Sequence, residues 1–336
     1  MLRAPYIALL VLVLIGPQGC AEDSTPAPVI EGPTDAMDVW DSAETSAAED
    51  VSDAVEADVV YVPPDPTRAL LSGEVMAAVV EDPAALLTGP KAEGRVGDIK
   101  LYNAHAAFIV EGIRRASGYR YWGGNVVDLA SVDAQGETAP DRYGEYFFAW
   151  NLQVFAPETI KIFSDGSDGM ALVEIEGRLE PFHFLDSFIG DLLLDEEPPP
   201  ARARYTYSLG PDDRALRLDV TFINEDNTPA VFDLPLAMAS MGDGAYAFAP
   251  GRGFEVDQMV YHPPYFAALG AREGYGIMTK DRTLIPLFSY AGVSIIQEEG
   301  FIVPVGDEHT FSTWFAVSER CFLMRSPLED ESTCAS

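Results

Sequence analysis

Residues 203–222 read ARYTYSLGPDDRALRLDVTF, and this stretch decides the fold class. Ala203, Tyr205, Tyr207 and Leu209 alternate with Arg204, Thr206 and Ser208. Beyond the turn, Leu216, Leu218, Val220 and Phe222 alternate with Arg217, Asp219 and Thr221. A two-residue period places one apolar face on a core and one polar face in water, which is the mark of a half-buried strand. Gly210-Pro211-Asp212-Asp213 between the runs has hairpin-turn chemistry. Working outward, further strands are expected at 97–111, 124–131, 159–164, 170–177, 230–239, 275–280, 292–298 and 308–317, each bounded by Gly, Pro, Asn or Asp clusters. Many strands, close turns and no strand–helix alternation predict a mainly β protein: a large antiparallel β-sandwich with one or two short helices. Those helices are expected at Asp82-Pro83 to Gly89, with its cap and first-turn proline, and at Phe184 to Leu193, where the apolar period is 3.6. The second reads as an amphipathic cover for a sheet edge.

The N-terminus sets the address. Arg3 precedes an apolar run of nine residues, Ile7 to Ile15, too short for a spanning helix and suited to a signal-peptide core. Residues 1–19 are therefore expected to be a signal peptide, followed by a tether (20–67) and a β-sandwich domain (68–336). Gly19-Cys20 resembles a bacterial lipoprotein signal, although Pro17 stands where that family has Leu. The resemblance implies lipidation of Cys20, and Ala21 after it favours the outer membrane. The alternative is a secreted protein. Residues 21–67 hold thirteen Asp or Glu and no Lys, Arg or His, a composition that cannot bury enough apolar surface to fold. The remaining cysteines, Cys321 and Cys334, would close a loop of about a dozen residues in an oxidising compartment, worth roughly 3 kcal/mol; a free pair is the alternative.

Charge excludes partners. The chain carries 54 acidic against 21 basic residues, a net −33, and from Arg68 onward 20 basic against 41 acidic, a net −21. Such a surface repels phosphate backbones and anionic head groups, so no nucleic acid is expected, and a membrane only through the lipid anchor. No Gly-x-Gly-x-x-Gly, Walker or Gly-x-Ser-x-Gly pattern occurs, which leaves no cofactor and no serine elbow to propose. Asp165-Gly166-Ser167-Asp168-Gly169 lacks calcium-loop spacing and reads as a tight turn, and no metal site is expected.

The segments GDIKLYNAHAAFIVEG (97–112), YWGGNVVDLA (121–130), DRYGEYFFAWNL (141–152) and SDGSDGMALVEIEG (164–177), with 205–232, run in a familiar order. They resemble the β-sandwich region upstream of PHP-type metal-dependent phosphoesterase domains in exported bacterial proteins. That region is similar in turn to the galactose-mutarotase-like supersandwich. The resemblance implies a supersandwich fold over roughly residues 90–320 and transfers no active site. The phosphoesterase domain would need clustered metal ligands, and this chain has only His105, His183, His262 and His309, far apart.

Mutarotase chemistry needs a histidine pair and a carboxylate. His105 reads as a strand-turn residue, His183 as a partly buried one and His309 as part of a solvated turn. His262, in Tyr-His-Pro-Pro-Tyr-Phe, is placed to line a cleft. The segment from Tyr119 to Tyr146 carries the ligand hypothesis: Tyr119, Tyr121, Trp122, Asn125, Asp128, Arg142 and Tyr143 supply ring faces and polar groups for sugar hydroxyls, with Arg120, Glu145 and Tyr146 among them. The competing reading has these aromatics filling a sandwich rim, with Arg142 paired to a carboxylate. Together these features predict a non-catalytic, envelope-located binding protein for carbohydrate or another envelope component. The alternatives are a carbohydrate-active enzyme of mutarotase or lyase type, using His262 or His183, and a structural partner of a separately encoded phosphoesterase.

Overall fold

The alternation in 203–222 folds as read. In a computed structural model, β8 (Arg202–Leu209) pairs antiparallel with β9 (Ala215–Ile223), Tyr205 facing Val220 and Tyr207 facing Leu218 across the ladder. The structure describes residues 64–319, except 117, 183–200, 234, 243–245, 251–252, 255–262, 271–272, 281–283, 291–292 and 298. The helix expected over 184–193, the expected signal peptide, all but the end of the expected tether, and the three cysteines lie outside the described residues.

The other strands in chain order are β1 (Val75–Val79), β2 (Ile99–Asn103), β3 (Ala106–Val110), β4 (Val126–Ser131), β5 (Gly144–Trp150), β6 (Gln153–Asp165) and β7 (Ala171–Pro181). After β9 come β10 (Ala230–Phe232), β11 (Pro235–Met241), β12 (Tyr246–Phe248), β13 (Tyr265–Leu269) and β14 (Glu273–Thr279). The last are β15 (Ile285–Tyr290), β16 (Val293–Gln297), β17 (Phe301–Val303) and β18 (Glu308–Glu319). Twelve form one sheet in the order β12-β13-β14-β18-β9-β8-β7-β6-β5-β11-β16-β15, four form a second in the order β1-β2-β3-β4, and β10 pairs with β17. Every strand pairing among the described residues is antiparallel. This is a large antiparallel β-sandwich.

The two larger sheets share one core. Val75, Ile99, Leu101 and Phe108 of the small sheet and Val173, Tyr205, Tyr207 and Leu218 of the large one belong to the same buried cluster. Trp150 is its centre, stacked on Phe148 at 4.7 Å and edge-on to Phe222 at 4.7 Å. The small sheet is buried on its second face as well. Met76, Tyr102, Ala107, Ile109 and Val127 pack there beneath Leu70, Ala85 and Leu87.

That double burial explains where the expected strands differ. The run 97–111 is two strands, because Asn103 turns the chain: its Oδ1 accepts from His105 N (2.8 Å) and Ala106 N (3.0 Å). With both faces apolar, the run has no period of two to reveal a reversal. Residues 230–239 divide between β10 and β11, which lie in different sheets. The helix expected at 82–89 is a single 3-10 turn, Pro83–Ala85, capped by the Asp82 carboxylate accepting from Ala84 N at 2.9 Å. Just beyond it the chain is drawn out to dock on Asp141, whose N–H donates to Thr88 O at 2.7 Å. A side chain on Gly89 would overlap Asp141 backbone atoms, so only glycine allows this approach. Contacts with the small sheet begin upstream of residue 68: Lys100 Nζ donates to Pro66 O (3.0 Å) and the Tyr102 hydroxyl to Arg68 O (2.9 Å).

Candidate functional site

Between β3 and β4 the chain leaves the small sheet and returns as a hairpin extension. Glu111 N donates to Asn125 O (2.9 Å), Gly124 N to Glu111 O (3.1 Å), Gly123 N to Arg114 O (2.9 Å) and Ala116 N to Tyr121 O (3.1 Å). Arg115 and Trp122 bridge across it. Gly123 is required here, since a Cβ would sit 2.2 Å from Gly112 O.

The tip is held from below by buried charge. Arg120 is 2% exposed. Its guanidinium donates to Glu111 Oε2 from Nε (2.9 Å) and Nη2 (2.5 Å), and to Glu145 Oε2 from Nη1 (2.7 Å). Glu145 Oε1 also accepts Tyr119 N at 2.7 Å, which ties the hairpin to β5. Arg114 makes a forked pair with Asp98 (Nε–Oδ1 3.0 Å, Nη2–Oδ2 2.9 Å) and lies 2.9 Å from Glu111 Oε1. Asp98 and Glu111 are buried. Burial raises the pKa of Glu111 and of Glu145, and the charge of Arg120 opposes the shift in both. Three carboxylates and two guanidiniums thus clamp the loop. Buried charges persist only when paired in this way.

Beside the clamp lie two further carboxylates. Asp128 accepts from Glu93 N (2.7 Å) and Gly94 N (2.9 Å), and burial raises its pKa to about 6. Asp141 Oδ1 accepts from Leu129 N (2.9 Å) and Tyr143 N (3.2 Å), while its Oδ2 has no hydrogen-bond partner among the described residues. Burial raises its pKa to about 7, and the nearby Asp128 charge adds to the effect.

The residues proposed from sequence separate into two groups. Asn125, Asp128 and Tyr143 are buried. Asn125 Nδ2 donates to Gly123 O at 3.2 Å, and Tyr143 rests against Tyr275 with ring centres 5.6 Å apart. In this conformation the three belong to the interior rather than to a surface. Tyr119 is 45% exposed, and Tyr121 and Trp122 are half-buried. Tyr121 and Trp122 meet edge to face at 4.7 Å, and the Arg115 guanidinium lies 4.1 Å over the Tyr121 ring. Arg142 pairs with Glu273 (Nε–Oε1 3.3 Å), as the rim reading had it. Cys20, Cys321 and Cys334, expected to carry the lipid and the disulfide, and the ligand candidate His262 lie outside the described residues, as does His183.

His105 Nε2 is 4.0 Å from Asp212 Oδ1, at the turn end of β8 and β9. His309 is not in a turn. It stands on β18 opposite Phe222, stacked on Phe301 at 4.6 Å, because the register of β18 carries it into the ladder. The two lie at opposite ends of β9, roughly 23 Å apart at the usual rise per strand residue, and cannot share one substrate atom. Asp165–Gly169 closes the β6–β7 hairpin, with Ser167 N donating to Asp165 Oδ1 at 3.0 Å. Among the described residues no group of three or more His, Cys, Asp or Glu is arranged to hold a metal.

Asp98, Glu111, Arg114 and Arg115 escaped the sequence reading. Their signal is the run Glu111-Gly-Ile-Arg-Arg115 directly after an uninterrupted apolar strand, a place where charge has little reason to stand unless paired.

No protein-family model matches this sequence, and no curated protein does. Among solved structures the chain is similar to a TPR-domain containing protein from Parabacteroides distasonis, at TM-score 0.42 and 12% identity, covering 70% of this chain and 50% of that one. It is also similar to a candidate aldose 1-epimerase from Klebsiella pneumoniae, at TM-score 0.41 and 10% identity, covering 78% and 91%. An alpha-mannosidase from Enterococcus faecalis gives TM-score 0.38 and 10% identity, covering 66% and 29%. The chain thus spans half of the first of these proteins and less than a third of the mannosidase.

Proposed function

We propose that this chain is an exported, lipid-anchored β-sandwich of the cell envelope that binds carbohydrate without transforming it. The β3–β4 hairpin tip is its contact surface. One observation carries the reading: Tyr121 and Trp122 stand 4.7 Å apart beside the exposed Tyr119, on a loop pinned by a buried arginine. Aromatic faces on a rigid support bind sugar rings at small entropic cost, because the loop is already ordered. The signal-like N-terminus, Cys20 and the acidic stretch that follows support the address. The enzymatic alternative rests on His183 and His262 alone, since His105 and His309 lie apart.

Titration against a glycan array tests the binding role. Trp122→Ala should lower affinity at least about tenfold while leaving the thermal transition within a few degrees of wild type. Unchanged affinity refutes the assignment of the tip. For the anchor, Cys20→Ser should abolish incorporation of radiolabelled palmitate and release the protein from the membrane fraction. Membrane retention in that variant refutes lipidation.

A further inference from the structure

Three arginines stand in the hairpin, and two are neutralised. Arg114 is paired with Asp98 and Glu111, and Arg120 with Glu111 and Glu145. Arg115 is exposed and makes no ion pair among the described residues, in a domain where acidic residues outnumber basic ones two to one. Instead its guanidinium lies over the Tyr121 ring, 4.1 Å from the ring centre. A guanidinium held over a ring by its charge still has N–H donors to give, in the fork that matches a carboxylate. Directly across the hairpin is Trp122, whose ring meets Tyr121 at 4.7 Å. Bridged residues of an antiparallel pair put their side chains on one face. The tip therefore offers one cation without an ion pair among the described residues beside two aromatic rings.

We propose that Arg115 forms a carboxylate subsite, so that the tip selects glycans carrying an isolated acidic sugar over their neutral counterparts. This rests on the carbohydrate reading above and names its ligand class. The isolated charge matters. The domain's net −21 repels a polyanion as it approaches. A single carboxylate in contact with Arg115 is governed by the local pair, because charges beyond about 8 Å are screened at physiological salt.

The test uses matched oligosaccharide pairs, each neutral member beside a version in which one hexose carries a carboxylate at C6. The wild-type protein should bind the carboxylated member about tenfold tighter, the size of one charge-assisted hydrogen-bond pair. Arg115→Gln should bring the ratio within about twofold while neutral binding persists. Arg115→Lys, which keeps the charge and loses the fork, should fall between them. A homopolymeric uronate should bind more weakly than the singly charged glycan. A wild-type ratio near one, a ratio unchanged in Arg115→Gln, or equal binding of an acidic peptide without a sugar ring overturns the carboxylate subsite and leaves glycan binding standing. No binding of any glycan, with Trp122→Ala silent, overturns the carbohydrate reading too.

Discussion

Replacing Arg120 by Met tests whether the hairpin is held by charge. The substitution keeps most of the side-chain volume and removes three donated hydrogen bonds, two to Glu111 and one to Glu145. Glu145 is then left buried beside an apolar chain, and Glu111 keeps Arg114 but loses Arg120. Breaking a buried pair from one side costs about 3–5 kcal/mol, mainly through the unpaired charge that remains. That is a large fraction of the 5–15 kcal/mol typical of a folded domain. Urea unfolding followed by tryptophan fluorescence should show it as a lowered midpoint. The loss should depend on pH. Burial already raises the pKa of Glu111 and Glu145, and without the cation both take up protons more readily. The deficit should therefore be smaller at pH 5 than at pH 8. Adding Glu111→Gln and Glu145→Gln to Arg120→Met should recover half or more of the loss, because no buried charge is then unpaired. A deficit under about 1 kcal/mol, or one equal at both pH values, refutes the clamp.

Asp128 and Asp141, with pKa values raised to about 6 and about 7, keep protons that the unfolded chain has already released. Their contribution to stability is full below the unfolded value near 3.8 and is lost as pH rises through 6 and 7. Thermal midpoints should accordingly decline from pH 5 to pH 8, and Asp141→Asn should flatten that decline; an unaltered slope refutes the assignment. Asn103→Ala removes bonds from Nδ2 to Gly210 O (2.8 Å) and Asp213 O (2.7 Å) that join the small sheet to the β8–β9 turn. With the two turn bonds to Oδ1 also lost, it should cost about 3 kcal/mol in urea unfolding, and Asn103→Asp, which turns a buried carboxylate oxygen toward those two carbonyls, should cost at least as much. Gly123→Ala places a methyl group against Gly112 O and should destabilise by about 1–3 kcal/mol while weakening glycan binding. Wild-type binding in that variant refutes the need for a rigid tip.

The strand content of this protein was legible wherever one face of a strand meets water. β8 and β9 are the clearest cases, because Arg204, Thr206, Arg217 and Asp219 mark the solvent side between buried partners. The small sheet was harder to read, since Ile99–Asn103 and Ala106–Val110 are buried throughout and carry no alternation. The tip was half legible. Its aromatics announce themselves as Tyr119, Tyr121 and Trp122, yet neighbours in sequence give no sign that Asn125, Asp128 and Tyr143 turn inward.

By itself the amino-acid order determined that this chain builds antiparallel sheets, because that follows from relations between residues one or two positions apart. Tertiary structure alone decided that Arg120 meets Glu145, that Asp128 and Asp141 share one buried region, and that Arg115 has no counterion among the described residues. Those relations depend on how β3, β4 and β5 are brought together, and in a low-dielectric interior the distance between charges, not their spacing along the chain, sets what they do.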